Sequence, residues 1–310
     1  MLLVLRALGV GDLLTAVPAL RALASAFPHH RRVLAAPRQL LPLIKLSGTV
    51  HATVDTRPLA PVELDRRPAV GVNLHGRGPQ SHTVLLATRP ERMIAFAHGE
   101  IPESYGHPQW RPGEHEVERW CRLLAEEGIP ADRSLVDLPA PARPVPDFAR
   151  DATVVHPGAA DPARRWPAER FAAVARAELT AGRAVIVTGT REEIPLAEEI
   201  AGRAGLPGRW VMAGKTDLGC LAALVAAAGR VVCGDTGVAH LATAFRTPSV
   251  VLFGPVAPAC WGPPPDRGWH RVLWAGRTGD PHGAEVDPGL LEITVADVLD
   301  ALATLPTPPR

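Results

Sequence analysis

VVCGDTGVAHLATAFRTPSVVLF, residues 231–253, is the stretch that decides the fold. It begins with an apolar strand and the tight turn Gly234-Asp235-Thr236-Gly237, and continues with a helix and a second apolar strand at 249–253. Asp235 and Thr236 are helix-capping residue types, and Gly237 allows a close approach to the backbone. The free N–H groups and partial positive charge of such a helix end suit a phosphate. An ordinary strand–turn–helix in which Asp235 only caps the helix is the alternative, and local chemistry leaves both interpretations open.

Outward from this stretch, short apolar runs alternate with helical patterns along the chain. Residues 138–147, LPAPARPVPD, interrupt the alternation with a proline-rich segment that predicts a stiff linker. Strands are predicted at 2–5, 32–35, 53–54, 70–74, 93–97, 153–156, 184–188, 210–212, 231–233, 249–253 and 272–274, and helices at 13–27, 37–46, 114–128, 167–181, 192–204, 218–228 and 295–305. This alternation indicates an α/β protein with two Rossmann-like halves, in which ligands bind at the carboxyl ends of parallel strands.

Composition excludes several classes of protein. The 310 residues carry 33 basic and 32 acidic side chains, a net charge of +1, which argues against a nucleic-acid or membrane-surface protein that works by bulk charge. The four cysteines show no CxxC spacing, which fits a reduced compartment better than a disulfide framework or a zinc site. Residues 1–27 place apolar residues before Arg6 and are interrupted by Asp12, the reverse of a signal peptide. We expect a soluble, cytoplasmic protein without a membrane span.

The first polar site at a strand end is Gly9-Val10-Gly11-Asp12, directly after the first predicted strand. A carboxylate there is able to act as a general base toward an attacking hydroxyl. Taken in isolation, the residue type favours Asp12 as an N-cap of the following helix. A dinucleotide fingerprint is excluded because its third glycine is replaced by Leu14.

Three further loops follow predicted strands. Arg164 and Arg165 precede a helix and offer planar donors to a diphosphate, although arginine pairs are also common in solvated loops. Thr188 is predicted to contact the nucleotide-sugar, and Glu192 or Glu193 after it fits a ribose diol; first-turn helix acids are the plain alternative for the two glutamates. The polar loop 73–82 is predicted to present His75, Arg77 and Gln80 to the acceptor or donor sugar, with loop solvation as the alternative.

These segments carry a resemblance to a known family. GDLLTAVPAL near the start, HPGA with RRWPAERF in the middle, and CGDTGVAHLATAF followed by LFGP together resemble glycosyltransferase family nine, the family of the ADP-heptose:lipopolysaccharide heptosyltransferases. The resemblance implies a GT-B fold, two Rossmann-like domains facing across a cleft. Its expected parts are an acceptor-binding domain at 1–140, a nucleotide-sugar-binding domain at 150–290 and a final helix in 291–310 that crosses back to the first domain.

The same resemblance implies an inverting reaction with no cofactor and no metal ion. Asp12 matches the family's proposed catalytic base, and Glu192 or Glu193 lies where a ribose-binding glutamate is expected. The donor-binding motif is matched by Asp235, Thr236, Gly237 and His240, with Asp235 capping the helix or accepting from a sugar hydroxyl. The chain departs from the family in having Arg164 where lysine is frequent, and Ala159 and Ala160 where hydroxyl residues occur.

The expected function is therefore transfer of a sugar, heptose by resemblance, from a nucleoside-diphosphate sugar such as ADP-heptose to an acceptor hydroxyl. Arg164, Arg165 and the helix end at Thr236 would stabilise the departing diphosphate. No basic amphipathic segment flanks the loop 73–82, so a soluble or carrier-linked glycoside is at least as good an acceptor as lipid A core. A sugar-nucleotide 2-epimerase and a non-catalytic nucleotide-sugar-binding protein of the same shape are the alternatives.

Overall fold

The computed structural model of the chain describes residues 1–307. It divides into two units, one spanning Met1–Val136 and one beginning at Asp137. Each unit contains a five-stranded parallel sheet with helices packed against it. The predicted linker 138–147 contains no helix or strand and forms the start of the second unit.

The first unit follows the strand order β3-β2-β1-β4-β5. Its strands are β1 Leu2–Leu5, β2 Arg32–Ala36, β3 Ala52–Asp55, β4 Val70–Asn73 and β5 Arg92–Ile94. Its helices are α1 Val10–Thr15, α2 Val17–Ala26, α3 Leu41–Ser47, α4 Gln80–Ala87 and α5 Glu116–Glu126. β1 is apolar throughout and buried along its whole length, as a central strand covered on both faces must be. The chain reverses its direction of strand addition between β1 and β4, where doubly wound sheets bind their ligands.

The second unit follows the order β10-β9-β8-β6-β7. Its strands are β6 Thr153–His156, β7 Val185–Val187, β8 Arg230–Gly234, β9 Ser249–Phe253 and β10 His270–Trp274. Its helices are α6 Ala168–Thr180, α7 Ile194–Ala204, α8 Leu218–Ala227, α9 Gly237–Ala244, α10 Pro258–Trp261, α11 Pro288–Glu292 and α12 Val295–Ala303. The reversal of strand addition lies between β6 and β8. The loops after these two strands therefore form the expected ligand site of this unit.

The core of the second unit explains the position of its last helix. Trp166 packs edge-to-face on Phe171 with ring centroids 5.0 Å apart, and Val298 and Leu302 of α12 belong to the same buried cluster. α12 packs against α6, β9 and β10. The last three residues of the segment 291–310, positions 308–310, lie outside the described residues.

Three predictions from the sequence differ from the observed elements. The predicted helix 13–27 is two helices that meet at Ala16, with Pro18 in the first turn of the second. The predicted strand 210–212 is wrong, because a 3₁₀ turn at Gly208–Trp210 leads into a single bridge between Val187 and Val211. Helix α4 was not predicted, since two of its buried positions, Ser81 and His82, are polar and hide its helical pattern. Among residues 1–307, no helix has the length and apolar character needed to cross a bilayer.

Candidate active site

Asp12 is the third residue of α1, at the carboxyl end of β1. Its Oδ2 accepts a hydrogen bond of 3.1 Å from the Gly9 N–H, and its Oδ1 lies 3.4 Å from a guanidinium nitrogen of Arg6. The Asp12 side chain nevertheless remains 27% exposed. The prediction that Asp12 is the N-cap of this helix is wrong, because Gly9 occupies the N-cap position; Asp12 accepts the Gly9 N–H from the third helical position and keeps a solvent-accessible carboxylate.

Arg6 is a buried arginine for which no site role was predicted from the sequence. Its Nε donates to the Asp12 main-chain oxygen at 2.9 Å, and its Nη1 donates to the carbonyl of Leu74. Its Nη2 lies 3.1 Å from Glu116 Oε1. Arg6 therefore joins the loops that follow β1 and β4 to helix α5. The sequence feature that could have singled out Arg6 is a lone charged residue directly after an apolar strand.

His75 lies beside this network, after β4. Its ring Nδ1 accepts a hydrogen bond from the Ala7 backbone N–H at 3.2 Å, and the backbone N–H of His75 donates to Asn73 Oδ1 at 2.8 Å. Burial, and then the nearby charge of Arg6, lower the pKa of His75 to about 4, while Asp12 acts in the opposite direction. His75 is consequently neutral at pH 7. Because Nδ1 accepts a hydrogen bond, the ring proton is on Nε2, which remains a donor.

The rest of the predicted acceptor loop is more structured than expected. Arg77 and Gln80 are exposed, and Gln80 begins α4. His82 is buried, with Nε2 2.6 Å from the Phe96 carbonyl and Nδ1 3.1 Å from Asn73 Nδ2. Asn73 thus fixes both His75 and His82. A sugar contact by His75, Arg77 and Gln80 stays a prediction.

In the second unit, the loops after β6 and β8 are joined by an ion pair. Arg164 Nη2 lies 2.7 Å from Asp235 Oδ2, and Asp235 is buried. The expectation that Asp235 caps the helix is wrong, because Thr236 occupies the N-cap position and no side chain caps α9. The carboxylate of Asp235 instead neutralises Arg164, since a buried carboxylate requires a partner.

The amino end of α9 therefore keeps its N–H groups available. Thr236 has an extended backbone, and the helix starts at Gly237. Among the described residues, Thr236 Oγ1 and Arg164 Nε are buried polar atoms that have no hydrogen-bond partner. Unpaired buried polar atoms are rare in folded proteins and frequently mark a ligand. Their position at the reversal between β6 and β8 suits an anion.

Arg165 has a different environment from Arg164. Its Nε and Nη2 both donate to the Ala159 carbonyl, at 2.9 and 2.8 Å. This contact fixes the loop that follows β6. A phosphate contact by Arg165 stays a prediction, and it would have to come from the remaining nitrogen.

The structure distinguishes the two candidate glutamates. Glu193 lies against Gly158, where an added Cβ would be 2.0 Å from Glu193 Oε1, and its Oε2 accepts the Thr190 N–H at 2.8 Å. Glu192 is exposed. Only Glu193 lies in the loop cluster at the ends of β6 and β7.

His156 ends β6 beneath this cluster. Its Nδ1 lies 3.0 Å from Thr188 Oγ1, and burial lowers the pKa of His156, with the charge of Glu193 acting against that shift. Thr188 is fully buried, so this geometry favours indirect support of the donor site over direct contact. His156 belongs to the HPGA motif, but no role was predicted for it. Its signal was its place as the last residue of a buried strand.

His240 lies on the first turn of α9 and stays partly exposed. Its ring is 5.9 Å from Trp261 in an edge-to-face arrangement. Residues 1–307 contain no group of three or more His, Cys, Asp or Glu side chains arranged to hold a metal ion. The charges at the end of β8 are instead one arginine, one aspartate and the helix end.

Comparison with known proteins identifies the family. The model of glycosyltransferase family 9 (heptosyltransferase) matches residues 104–275. The chain belongs to glycosyltransferase family 9. Its enzyme class is therefore that of a glycosyltransferase.

The relatives of this family 9 chain agree with that assignment. It is 34% identical over 154 residues to lipooligosaccharide heptosyltransferase 2 of Haemophilus influenzae, a match that covers 46% of this chain and 44% of that relative. It is 26% identical to lipopolysaccharide heptosyltransferase 2 of Escherichia coli, over 96% of this chain and 95% of the relative.

Solved structures support the fold. The glycosyltransferase family 9 structure from Veillonella parvula matches with a TM-score of 0.78 at 18% identity, over 98% of this chain and 96% of that one. The E. coli ADP-heptose lps heptosyltransferase II matches with a TM-score of 0.74 at 22% identity, over 97% of both chains. The predicted GT-B fold of the family is confirmed.

The family match places the candidate residues unequally. Residues 104–275 include Arg164, Glu193 and the DTG turn, but they do not include Asp12. The family model therefore spans the candidate residues of the second unit and leaves Asp12 outside its range.

Proposed function

We propose that this chain is an inverting, metal-independent heptosyltransferase that transfers heptose from ADP-heptose to an acceptor hydroxyl. The observation that carries the proposal is the uncapped amino end of α9 beside Arg164, with two buried polar atoms that lack partners, Thr236 Oγ1 and Arg164 Nε. A diphosphate supplies hydrogen-bond acceptors for these two atoms and for the N–H groups at the amino end of α9. ADP-heptose is proposed as the donor because the similar E. coli enzyme is an ADP-heptose lps heptosyltransferase.

The second unit binds the donor in this proposal. Gly237 and the following residue donate backbone N–H groups to the diphosphate, and Arg164 adds positive charge. Glu193 accepts from the ribose diol and His240 lies next to the diphosphate. Asp235 accepts from a sugar hydroxyl, since its carboxylate and a phosphate repel each other. One preorganised donor of this kind contributes roughly 3–4 kcal/mol to transition-state stabilisation. The leaving group is therefore stabilised by arginine and helix dipole, with no metal ion in the step.

The first unit supplies the base. Asp12 takes the proton of the acceptor hydroxyl as that oxygen attacks the anomeric carbon of the donor sugar. The bond between the anomeric carbon and the β-phosphate oxygen breaks, and its electron pair leaves on ADP. A single displacement of this kind inverts the anomeric centre. The neutral His75, with its Nε2 proton available, orients a hydroxyl beside Asp12.

The acceptor is proposed to be a glycoside of lipopolysaccharide type, bound with help from His75, Arg77 and Gln80. The names of the relatives favour this class over the soluble glycoside that the sequence left equally open. Arg77 and Gln80 are exposed and project from the base fixed by Asn73. An activity screen with lipopolysaccharide and with soluble glycosides distinguishes these two classes of acceptor.

The decisive test is Asp12→Asn. We expect ADP release from ADP-heptose, in the presence of lipopolysaccharide acceptor, to fall by roughly 10²–10⁴-fold, the usual contribution of a general base. ADP binding measured by calorimetry should be unchanged. Asp132→Asn removes an exposed carboxylate of the same unit and should keep full activity. Normal turnover by the Asp12→Asn protein would contradict the base assignment.

Two measurements test the finer claims. Activity should survive excess EDTA, and a loss that Mg²⁺ restores would overturn metal independence. The anomeric configuration of the product, read by NMR coupling, should be opposite to that of the donor. Retention of configuration would exclude the single-displacement mechanism.

A further inference from the structure

Arg6 is an unusually placed charge. It is 1% exposed, it follows a strand that is apolar throughout, and its guanidinium lies 4.8 Å from the centroid of the Trp120 ring. A buried arginine is costly unless each donor is paired. Here every guanidinium nitrogen has an acceptor, and one of these acceptors is the main-chain oxygen of Asp12.

Glu116 fixes the other side of this arginine. Its Oε1 lies 3.1 Å from Arg6 Nη2 and accepts the indole N–H of Trp120 at 2.9 Å, while its Oε2 accepts from Arg119 at 3.0 Å. The glutamate is buried on the first turn of α5. Its position is therefore set by its own helix, and it holds Arg6 at a defined place.

The Asp12 carboxylate is held in turn by Arg6 and by Gly9. One oxygen is 3.4 Å from Arg6, and the other accepts the Gly9 N–H. Thr15 adds a hydrogen bond of 3.1 Å from its hydroxyl to the Asp12 main-chain oxygen. Both the side chain and the backbone of Asp12 are thereby tied to Arg6.

We propose that Arg6 and Glu116 form a positioning pair that fixes the Asp12 carboxylate and balances the charge beside it. The proposal rests on the proposed function, because it gives the pair a task only if Asp12 is the base. Arg6 keeps the carboxylate oriented for the acceptor proton. Glu116 offsets the positive charge that Arg6 places beside the Asp12 carboxylate.

A purely structural role is the competing explanation, since Arg6 also joins the loops after β1 and β4. The two explanations differ in one respect. Loss of a structural tie lowers stability, whichever partner is removed. Loss of a charge balance instead moves the acidic limb of the pH–rate profile in a direction set by the sign of the charge removed.

The experiment compares Arg6→Met with Glu116→Gln. The methionine variant removes a positive charge beside Asp12, so the acidic limb of kcat/KM against pH should move up by about one pH unit. The glutamine variant removes the charge that offsets Arg6, so the limb should move down by a smaller step. The double variant should return the limb toward that of the unaltered enzyme. Both single variants should lower kcat by about tenfold or more, because a small displacement of a catalytic group is costly.

The controls separate this pair from general effects. The groups of the described residues that face Asp12 are Arg6 and His75, with Glu116 behind Arg6. The opposite shifts should therefore persist in a His75→Gln background. Arg122→Lys alters a different arginine–glutamate pair, between Arg122 of α5 and Glu114 at 2.6 Å in the preceding loop, and should leave the limb unmoved. KM for ADP-heptose should change less than twofold in every variant.

The outcomes are distinguishable. Opposite limb shifts that cancel in the double variant support the pair. Shifts in one direction, or falling melting temperatures with an unchanged limb, overturn it. If Arg6→Met does not fold, Glu116→Gln alone tests the direction of the limb shift, and Arg6→Lys, which keeps the positive charge, tests the positioning of Asp12 through kcat with the limb unmoved. Normal turnover by Asp12→Asn would contradict the proposed function itself. If Asp12→Asn loses turnover but the limb does not move in Arg6→Met and Glu116→Gln, only the positioning pair is contradicted.

Discussion

Glu192 and Glu193 are neighbours in the sequence, and the fold gives them different surroundings. Glu193 packs against Gly158 and accepts the Thr190 N–H, whereas Glu192 is exposed. The pKa of Glu192 is lowered by local hydrogen bonds, first from its own backbone and then from the Thr190 side chain. Because the two residues differ in this way, the same substitution at each position gives a matched pair of variants.

We expect Glu193→Gln to weaken donor binding and Glu192→Gln to leave it unchanged. Hydrogen bonds to a charged group contribute about 1.5–3 kcal/mol, which corresponds to roughly a ten- to hundredfold change in dissociation constant. Calorimetry with ADP-heptose measures both variants. Equal losses in the two proteins would contradict the assignment of Glu193 to the ribose.

Gly158 allows Glu193 to lie where it does. A methyl group at Gly158 would be 2.0 Å from Glu193 Oε1, so the carboxylate must move. Gly158→Ala should therefore reduce donor affinity about as much as Glu193→Gln does, with little change in melting temperature because the end of a glutamate side chain moves easily. The control is Gly202→Ala in α7, where a Cβ meets open space; it should raise stability by about 0.5–1 kcal/mol and leave affinity unchanged.

At the scale of elements, α9 is the helix on which the proposed donor site depends. Its N-cap residue Thr236 has φ −143° and ψ 174°, an extended conformation that a following proline accepts. Proline is also well tolerated at the first position of a helix. Gly237 is that position, and its N–H can thus be deleted without breaking the helix.

Gly237→Pro should lower the affinity for ADP by about tenfold, since one charge-assisted hydrogen bond is lost. Gly237→Ala adds a methyl group but keeps the N–H, so it reports on steric effects alone. Calorimetry gives the affinities, and circular dichroism confirms that both variants are folded. If both lose affinity equally, crowding explains the loss and the N–H does not bind the diphosphate.

At the scale of the whole molecule, buried histidines set the response to acid. Burial, and then the charges of Arg267 and Arg271, lower the pKa of His270 to about 4, and burial lowers the pKa of His75 to about 4. Both values lie below the 6.5 of an exposed histidine, so the unfolded chain binds these protons first. The free energy of unfolding is therefore highest above pH 6.5 and falls as the pH drops from 6.5 to 4.

His270 alone should account for a loss of up to roughly 3 kcal/mol across that interval. His270→Gln does not titrate, so its urea midpoint should depend less on pH between 6.5 and 4. Asp137 and Glu178 affect the free energy of unfolding at lower pH. Their arginine partners hold the pKa of both carboxyls below the usual values against burial, so the stability that they add disappears only as the pH falls below about 4. An unchanged slope in His270→Gln would contradict the assignment.

Much of the candidate site could be proposed from local sequence patterns. Asp12, Arg164 and the DTG turn follow apolar strands, and polar residues in that position face a ligand in α/β sheets. Thr188 and Arg165 lie in the same loops, but their side chains bind other parts of the protein: Thr188 contacts His156, and Arg165 donates to the Ala159 carbonyl. Local spacing cannot separate a residue that binds a ligand from one that binds the loop.

The sequence by itself determined the alternating elements, the two halves and the turn at residues 234–237, because hydrophobic period and glycine chemistry act over a few neighbouring residues. Only the tertiary structure decided which residues form the sites. Strand order places β1 beside β4 and β6 beside β8, which joins Arg164 to Asp235 across 71 positions and Arg6 to Glu116 across 110. Such partners are chosen by packing and charge compensation in the buried interior, which no local spacing encodes.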